Sequence, residues 1–423
     1  MLDIKMIRSN PQRVREALRD RGYSFNLDEL LKLDERRREL LVELESLRAR
    51  QNVANKEIGV LQRENKDFSA KIKELSKTSE SASSVLTDVE DIDKKLDVLI
   101  YKVPNFPHIS TPQGSDSSHN KKVRQHGNEK RFNYKCKTHL EIGEKLGILD
   151  FKRASKIAGS GFALFMGKGA RLVRALVNFM LDLHTSKHGY VEVWPPALVN
   201  RKSMTGTGQL PNLEEDMYRL RDEDYFLIPT AEVPVTNLLQ GEVLGEDALP
   251  IYYTAYTPCF RREAGSYGKD TKGLLRVHQF DKVELVKFVR PETSYEELEK
   301  LVGNAEEVLK ALGLTFRTME LCRGDLSFAS TKCYDLEVWA PGVEKWLEVS
   351  SCSNFEDFQA RRIGIRYRPK TGKGLEFVHT LNGSGVALAR TVAALLESGQ
   401  EENGTVRLPE CLAPYLGGDL ILK

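Results

Sequence analysis

The chain has 423 residues, 40% of them hydrophobic and 29% charged, with a formal net charge of +2, so any nucleic-acid partner needs a local basic patch and not a global excess. No apolar run approaches the ~20 residues of a membrane span, and the N-terminal MLDIKMIRSN mixes acids with bases and lacks the apolar stretch of a secretory signal. The cysteines Cys136, Cys259, Cys322, Cys333, Cys352 and Cys411 form no CxxC pair, so no zinc is expected, and a reducing, cytoplasmic compartment is the simpler inference.

At the N-terminus, Asn10-Pro11 predicts a helix start, with Asn10 as cap and Pro11 in first position, and Gly22 predicts its end. From Asp28 onwards apolar residues recur at steps of three and four: Leu30, Leu33, Leu40, Leu44, Leu47, Ala54, Ile58 and Leu61, with Arg37 and Gln51 in the gaps. Val85, Val89, Ile92, Leu96 and Leu99 repeat the steps until Pro104. Two such seams in series predict an antiparallel hairpin of helices. Equal arms place the turn near Asn65, Lys66 and Asp67. The serine-rich residues 76–84 are the rival, favoured by a heptad phase that continues through Phe68, Ile72 and Leu75; the midpoint is preferred. Arms of about 35 residues reach on the order of 50 Å. Around the tip Arg48, Arg50, Lys56, Arg63, Lys66, Lys71, Lys73 and Lys77 face fewer acids. A rod with a basic outer half can lie along a phosphate backbone, although a coiled coil that binds another protein is the commoner use of such a seam.

Residues 105–128, with Pro107, Pro112, Gly114 and clustered Ser and Asn, read as a linker, and 129–423 as a second domain. Its pattern predicts a short helix at 140–146, a strand at 162–166, a long helix at 169–188 and a strand at 190–194 closed by Pro195-Pro196. That helix and strand suit a subunit interface or a buried core equally. The glycines of MTGTGQLP (204–211) permit a tight turn or close approach to a ligand. After a strand at 225–228, Thr230 and Glu232 lie two residues apart. They suit the grip of an ammonium group, or the start of a helix at 231–240 with Thr230 as cap.

Residues 257–287 are the most informative stretch. Arg261 and Glu263 would share one face of a strand, 264–273 read as a loop, and a return strand at 274–287 would place Arg276, His278, Phe280 and Lys282 on one face. A guanidinium suits a phosphate, a carboxylate accepts from an exocyclic amine, and a ring stacks on a base. This is a nucleotide platform that needs no Walker loop; an amphipathic hairpin with a solvated charged face is the alternative. Further on, a helix at 294–312 precedes strands at 315–321, 333–339 and 346–351. Asp335, Glu337 and Glu348 among them suit Mg²⁺ beside phosphates, or ion pairs across strands. A strand at 377–381, a turn at Asn382-Gly383-Ser384-Gly385 and a helix at 386–396 holding Arg390 complete the chain, the helix start favouring an anion.

This order of elements resembles the three signature motifs of class II aminoacyl-tRNA synthetases. The strings TGTGQLP, PTAEVP, CFRREAG, HQFDKVE, EVSSCSNFEDFQARR and HTLNGSGVALAR resemble the seryl-tRNA synthetase family, whose tRNA-binding arm is an N-terminal helical hairpin. The resemblance covers essentially the whole chain. It implies an α+β protein: an antiparallel helical hairpin (coiled coil) in residues 1–104, then a catalytic domain built on an antiparallel sheet flanked by helices. It implies ATP with Mg²⁺ and L-serine as ligands, tRNA(Ser) and, where present, tRNA(Sec) as acceptors, and a homodimer with Pro196 at the interface. Arg261 would bind the α-phosphate, Glu263 the adenine amino group and Arg390 the terminal phosphate, with Phe280 stacked on adenine and Arg262 inside the same ATP-binding triplet. Glu348 and Ser351 would hold Mg²⁺ with ATP, Val349 and Ser350 lying between them in the ATP-binding stretch. Thr230, Ala231, Glu232, Glu284 and Ser384 would form the serine pocket, Glu232 meeting the ammonium group and Glu284 with Ser384 reading the hydroxyl. Departures from the family pattern are His126 before Gly127, where tryptophan is usual, Leu213 for phenylalanine, and Ala387 for a third glycine. An enzyme that charges a carrier protein would share the catalytic residues but not need the arm. A non-catalytic RNA-binding relative is opposed by intact Arg261, Glu263 and Arg390.

Overall fold

The computed structural model describes residues 1–263, 272–372 and 374–423. It divides into two compact units, one of Met1–Arg19 with Tyr23–Pro104, the other of Asp20–Gly22 with Asn105–Lys423.

In the first unit Asn10 Oδ1 accepts from the Arg13 N–H at 3.1 Å, and the helix Pro11–Asp20 follows; the preceding helix Ile4–Ser9, not expected from the sequence, is capped by Asp3, whose side chain accepts from the Lys5 N–H at 2.8 Å. Helices α1 (Leu27–Arg63) and α2 (Ser69–Ile100) form the hairpin, packed through Leu40 and Leu44 against Ala82, Val85 and Val89. The turn falls at the midpoint, where Asn65 takes φ +51°, a left-handed conformation asparagine tolerates. The rival turn at 76–84 lies inside α2. There Ser76 donates to Glu80 at 3.2 Å and Thr78 to the Glu74 carbonyl at 2.9 Å, bonds within the helix. The heptad phase that favoured it is not a buried seam, since Ile72 is 47% exposed. The two gaps in the apolar pattern are polar pairs across the hairpin: Arg37 with Asp93, and Gln51 Nε2 donating to Ser79 Oγ at 3.0 Å. The step from Arg37 to Gln51 matches the step from Asp93 back to Ser79. One antiparallel register satisfies both pairs, and a slip would break both.

In the second unit, among the described residues, eight strands make one sheet: β1 (Lys121–His126), β2 (Val191–Glu192), β3 (Ile251–Phe260), β4 (Gln279–Val289), β5 (Phe316–Glu320), β6 (Lys332–Ala340), β7 (Lys345–Asn354) and β8 (His379–Ala387), in spatial order β1-β5-β6-β7-β8-β4-β3-β2. All neighbours are antiparallel except β2 with β3. Helices α3 (Lys168–Ser186), α4 (Ser294–Ala311) and α5 (Leu388–Ser398) bury Leu172, Leu176, Leu301, Val308, Val392 and Leu396 against Val283, Leu285, Leu336 and Val338 of the sheet. Each such aliphatic side chain contributes roughly 2 kcal/mol when removed from water. On its other face the sheet is covered where Ala231, Val235, Ala360 and Ile363 pack on Val286 and Phe288, and it opens at Phe280, Lys282 and Glu284.

Several elements differ from expectation. Residues 121–126, read as linker, are the edge strand β1. An edge strand is held by main-chain bonds to one neighbour, so KKVRQH needs no apolar alternation. His126 stacks on Phe316, ring centroids 5.3 Å apart, and so supplies the aromatic contact at the position where tryptophan is usual. The strand expected at 162–166 reduces to one bridge, Leu149 to Phe165, and the strand at 190–194 to Val191–Glu192. The helix expected at 231–240 is Glu232–Thr236 followed by a 3₁₀ turn. The return strand begins at Gln279, not Leu274, and β3 ends at Phe260, so Arg261, Glu263, Arg276 and His278 lie beyond the paired strands. Most of the loop expected at 264–273 lies outside the described residues. Finally, Asn382-Gly383-Ser384-Gly385 is not a turn but the middle of β8, and the helix starts at Leu388. The glycines there serve close packing: a Cβ on Gly383 would come within 2.8 Å of Cys352 Sγ, and one on Gly385 within 2.8 Å of His184 Nε2.

Candidate active site

A cavity of about 600 Å³ opens over β4, β7, β8 and the start of α5. Strand alternation builds its floor. Phe280, Lys282 and Glu284 of β4 line it, while Val283 and Leu285 point into the core. Ser384 of β8 stands directly opposite Glu284. Two one-residue bulges set the rest. On β7, Glu348 pairs with Glu337 and Ser350 with Leu336, so Val349 is the extra residue. The shift puts Glu348 and Ser351 opposite Glu337 and Asp335, on one face, which strict alternation would forbid. On β8 the register shifts at Gly385, between Ser384 and Val386.

The closed end is acidic. Glu284, 1% exposed, accepts from Asn382 Nδ2 at 2.9 Å on one oxygen; the other takes Thr230 Oγ1 at 2.9 Å and Lys282 Nζ at 2.5 Å. Lys282 also donates to Thr230 Oγ1 at 2.9 Å. Thr230 Oγ1 further accepts the Glu232 N–H at 3.2 Å, but the cap position of the helix Glu232–Thr236 is Ala231, which makes no side-chain cap bond, so the expected cap role of Thr230 is not met. Glu232 is held differently. It accepts from Gln359 Nε2 at 2.7 Å and has no ion pair among the described residues. Burial first, then the neighbouring Glu284 carboxylate, pushes its carboxyl up to about 7. A buried carboxylate with no paired cation among the described residues is the natural receptor for a small cation.

The open end is cationic. The Arg261 guanidinium lies over the Phe280 ring, 5.1 Å from its centroid, with Nε donating to the Pro229 carbonyl at 3.3 Å. Arg390 is fixed by two main-chain carbonyls, Nε to Leu275 at 2.9 Å and Nη1 to Glu348 at 2.7 Å. Glu263 takes φ +52° and accepts from Arg276 Nη1 at 2.8 Å. It reaches the cavity through this left-handed turn, not by alternation with Arg261. Ring and fixed guanidiniums together suit a base and its phosphates.

Of the residues expected at the site, Thr230, Glu232, Arg261, Glu263, Phe280, Glu284, Glu348, Val349, Ser350, Ser351, Ser384 and Arg390 line this cavity. Ala231 does not: it is fully buried beside Val235 and Val286. Arg262 does not either; it is exposed, and its N–H donates to the Asp216 carbonyl at 2.9 Å. Lys282 and Arg276, expected on one strand face without a site role, also line the cavity. Asn382 and Gln359 were not singled out. Reading 382–385 as a strand would have put Asn382 on the face of Ser384, whereas nothing local in the sequence marks Gln359.

Glu348 and Ser351 offer one carboxylate and one hydroxyl, and among the described residues no group of three His, Cys, Asp or Glu side chains is placed to hold a metal alone. That donor set fits Mg²⁺, which takes few protein ligands and completes its shell with phosphate and water oxygens.

Fold and site together define a class II aminoacyl-tRNA synthetase. Residues 216–399 match the tRNA synthetase class II core domain (G, H, P, S and T), and residues 1–107 the seryl-tRNA synthetase N-terminal domain. Serine–tRNA ligases of Thermodesulfovibrio yellowstonii and Carboxydothermus hydrogenoformans are each 55% identical to the chain, over 100% of both partners. The crystal structure of seryl-tRNA synthetase from Pyrococcus horikoshii complexed with ATP superposes with a TM-score of 0.94 at 38% identity, covering 100% of this chain and 99% of that one. The chain belongs to the seryl-tRNA synthetase family.

Proposed function

We propose that the protein activates L-serine with ATP to seryl-adenylate and transfers the seryl group to the 3′ end of tRNA(Ser), releasing AMP and diphosphate, with tRNA(Sec) a second acceptor where it is present. One observation carries this reading. A single cavity joins a closed end with two buried carboxylates to an open end with two anchored guanidiniums and a ring. The serine ammonium goes to Glu232 and its hydroxyl to Glu284 and Ser384. Adenine stacks on Phe280 with its amino group at Glu263, the α-phosphate meets Arg261, and the terminal phosphate meets Arg390. The serine carboxylate then attacks the α-phosphorus and pyrophosphate leaves. No protein nucleophile is needed, so positioning and neutralisation of phosphate charge carry the catalysis. Glu348 and Ser351 would hold Mg²⁺ arriving with ATP, and the ion would supply further neutralisation of the phosphates.

Residues 1–104 serve as the tRNA arm and 129–423 as the catalytic domain. The match of residues 1–107 to the N-terminal domain model supports the arm, as do cations at the hairpin tip without ion pairs among the described residues, such as Lys56, Arg63 and Lys73. A homodimer formed around Pro196 is supported by the exposure of Val191 (58%) and Trp194 (76%) on the same segment. Cytoplasmic placement is supported by six free thiols, and no described helix is long and apolar enough to cross a membrane.

The test is ATP–pyrophosphate exchange with each amino acid in turn, followed by charging of total tRNA. Exchange with serine alone and charging of serine-accepting tRNA are expected. Exchange without charging would point to a carrier protein as acceptor, and no exchange with any amino acid would end the enzymatic reading.

A further inference from the structure

We propose that Lys282 is a specificity-determining residue: by pairing with Glu284 it fixes that carboxylate as a pure hydrogen-bond acceptor, so that the amino acid must bring a hydroxyl donor. The inference deepens the serine-activating reading of the site and rests on it.

The hydrogen-bond inventory at Glu284 carries the argument. All three of its partners are used as donors towards it: Asn382 Nδ2 on one oxygen, Thr230 Oγ1 and Lys282 Nζ on the other. An ionised carboxylate has about four acceptor positions and no proton to give. Three are filled, and the fourth, on the oxygen that holds Asn382, is left for the cavity that Glu284 lines. A ligand group placed there must donate. Serine's hydroxyl can; alanine's methyl leaves a buried anion with an unmet acceptor position.

Charge makes that omission costly. An unpaired position on a buried carboxylate costs more than one on a neutral carboxylic acid, because a charged group loses more on leaving water. Lys282 is itself only 5% exposed and makes no contact with the open end of the cavity among the bonds described. Its ammonium is the sole cation paired with Glu284 among the described residues, while Glu232 has only an uncharged amide. The two acids are thereby divided: Glu284 is already paired and reads the side chain, and Glu232 is left for the substrate's ammonium group. Removing the lysine charge would remove the pairing that holds Glu284 as an acceptor, and with it the demand for a hydroxyl donor.

The experiment compares kcat/KM for serine and for alanine in ATP–pyrophosphate exchange, for the full chain and for Lys282→Met, Lys282→Gln and Lys282→Arg. A site built to bond a hydroxyl rejects the analogue lacking it by on the order of 10⁴. That ratio is expected to fall at least about tenfold in Lys282→Met and Lys282→Gln, to be largely kept in Lys282→Arg, and to fall while the KM for ATP stays constant. Should Lys282→Met fail to fold, Lys282→Gln, which keeps a donor but not the charge, and the neutral pair Lys282→Met with Glu284→Gln supply the measurement. Equal losses for serine and alanine, or an ATP KM that rises in step, would overturn the proposal by placing Lys282 on a group common to both substrates. If the unaltered protein shows no serine-dependent exchange, the reading of the site itself fails, a result distinct from an unchanged ratio.

Discussion

Gln359 Nε2 donates to Glu232 Oε1 at 2.7 Å, and Gln359 has no solvent exposure. The amide is locked in turn: its oxygen accepts from Thr380 Oγ1 at 2.7 Å, and its nitrogen also reaches the Thr207 carbonyl at 3.2 Å. The TGTGQLP segment, β8 and the helix Phe358–Ile363 thus meet at one side chain, which aims the carboxylate assigned to the serine ammonium.

Replacing Gln359 with leucine removes the donor and strands three buried polar groups at once. Each costs about 1–3 kcal/mol when left unpaired. The serine KM is expected to rise at least about tenfold with the ATP KM unchanged, and thermal unfolding to move down. Gln359→Glu is expected to be worse, since it sets another carboxylate against Glu232 and Glu284. A serine KM equal to that of the unaltered protein in Gln359→Leu would remove the amide from the binding machinery.

The pH dependence of serine use follows from Glu232. Burial and Glu284 raise its carboxyl to about 7, against opposing contributions from Gln359, Lys282 and Arg261. Below that value the group is neutral and cannot balance an ammonium; above it the carboxylate is available. Serine kcat/KM should therefore climb about tenfold per unit up to about pH 7 and then level off. The stability of the ligand-free protein should run the other way. Between the usual 4.5 and about 7 the unfolded chain has lost a proton that the folded one keeps, so the contribution of Glu232 to stability falls as pH rises. Glu232→Gln should abolish the inflection and raise the serine KM by about 10- to 100-fold. A pH profile that keeps its inflection in Glu232→Gln would assign it to another group.

Much of this was legible in the chain. The hairpin followed from apolar spacing and the long helices from their period, because these signals are local, whereas the midpoint turn followed from equal arm lengths against the heptad phase. The bulges were not legible. Gly385 and Val349 shift their strands by one residue, and only the facing strand reveals which residue is extra. Hence Asn382-Gly383-Ser384-Gly385 was read as a turn from glycine content, when its glycines answer to Cys352 and His184, remote in sequence. The same blindness hid Gln359, whose role depends on three segments meeting. Glu348 was reached from the chemistry of its carboxylate, but its pairing with Ser351 as metal ligands came from resemblance, since alternation would have separated them.

Gly385 should be intolerant of a methyl group. A Cβ there would lie 2.8 Å from His184 Nε2 and 3.2 Å from Val283 Cγ1, and His184 is fully buried and held by His188, Nδ1 to Nδ1 at 2.9 Å. Overpacking of this kind costs about 1–3 kcal/mol. In Gly385→Ala, β8 must shift beside Ser384, so the serine KM should rise along with the loss of thermal stability. Pairing it with His184→Ala should restore part of both. Equal instability of the double variant and the single one would show that the clash is not with the imidazole.

The last expectation concerns the hairpin tip. The basic tip was expected to be left free by a shortage of acids, and part of it is neutralised: Lys71 pairs with Glu57 at 2.8 Å and Glu74 at 3.1 Å, and Lys66 with Glu64 at 2.7 Å. Lys56, Arg63 and Lys73 have no ion pair among the described residues and so are the better candidates for phosphate contact. A cation already paired on an exposed surface gives up one partner to gain another, whereas a free one gains the phosphate outright. Changing Lys56, Arg63 and Lys73 together to glutamine should raise the KM for tRNA and leave serine-dependent pyrophosphate exchange untouched. It should also flatten the plot of log affinity against log salt concentration by up to about 0.9 per lost phosphate contact. The matching change at Lys66 and Lys71 should do less. If the salt slope stays the same in the triple variant while tRNA charging falls, the arm acts through shape and not through these charges.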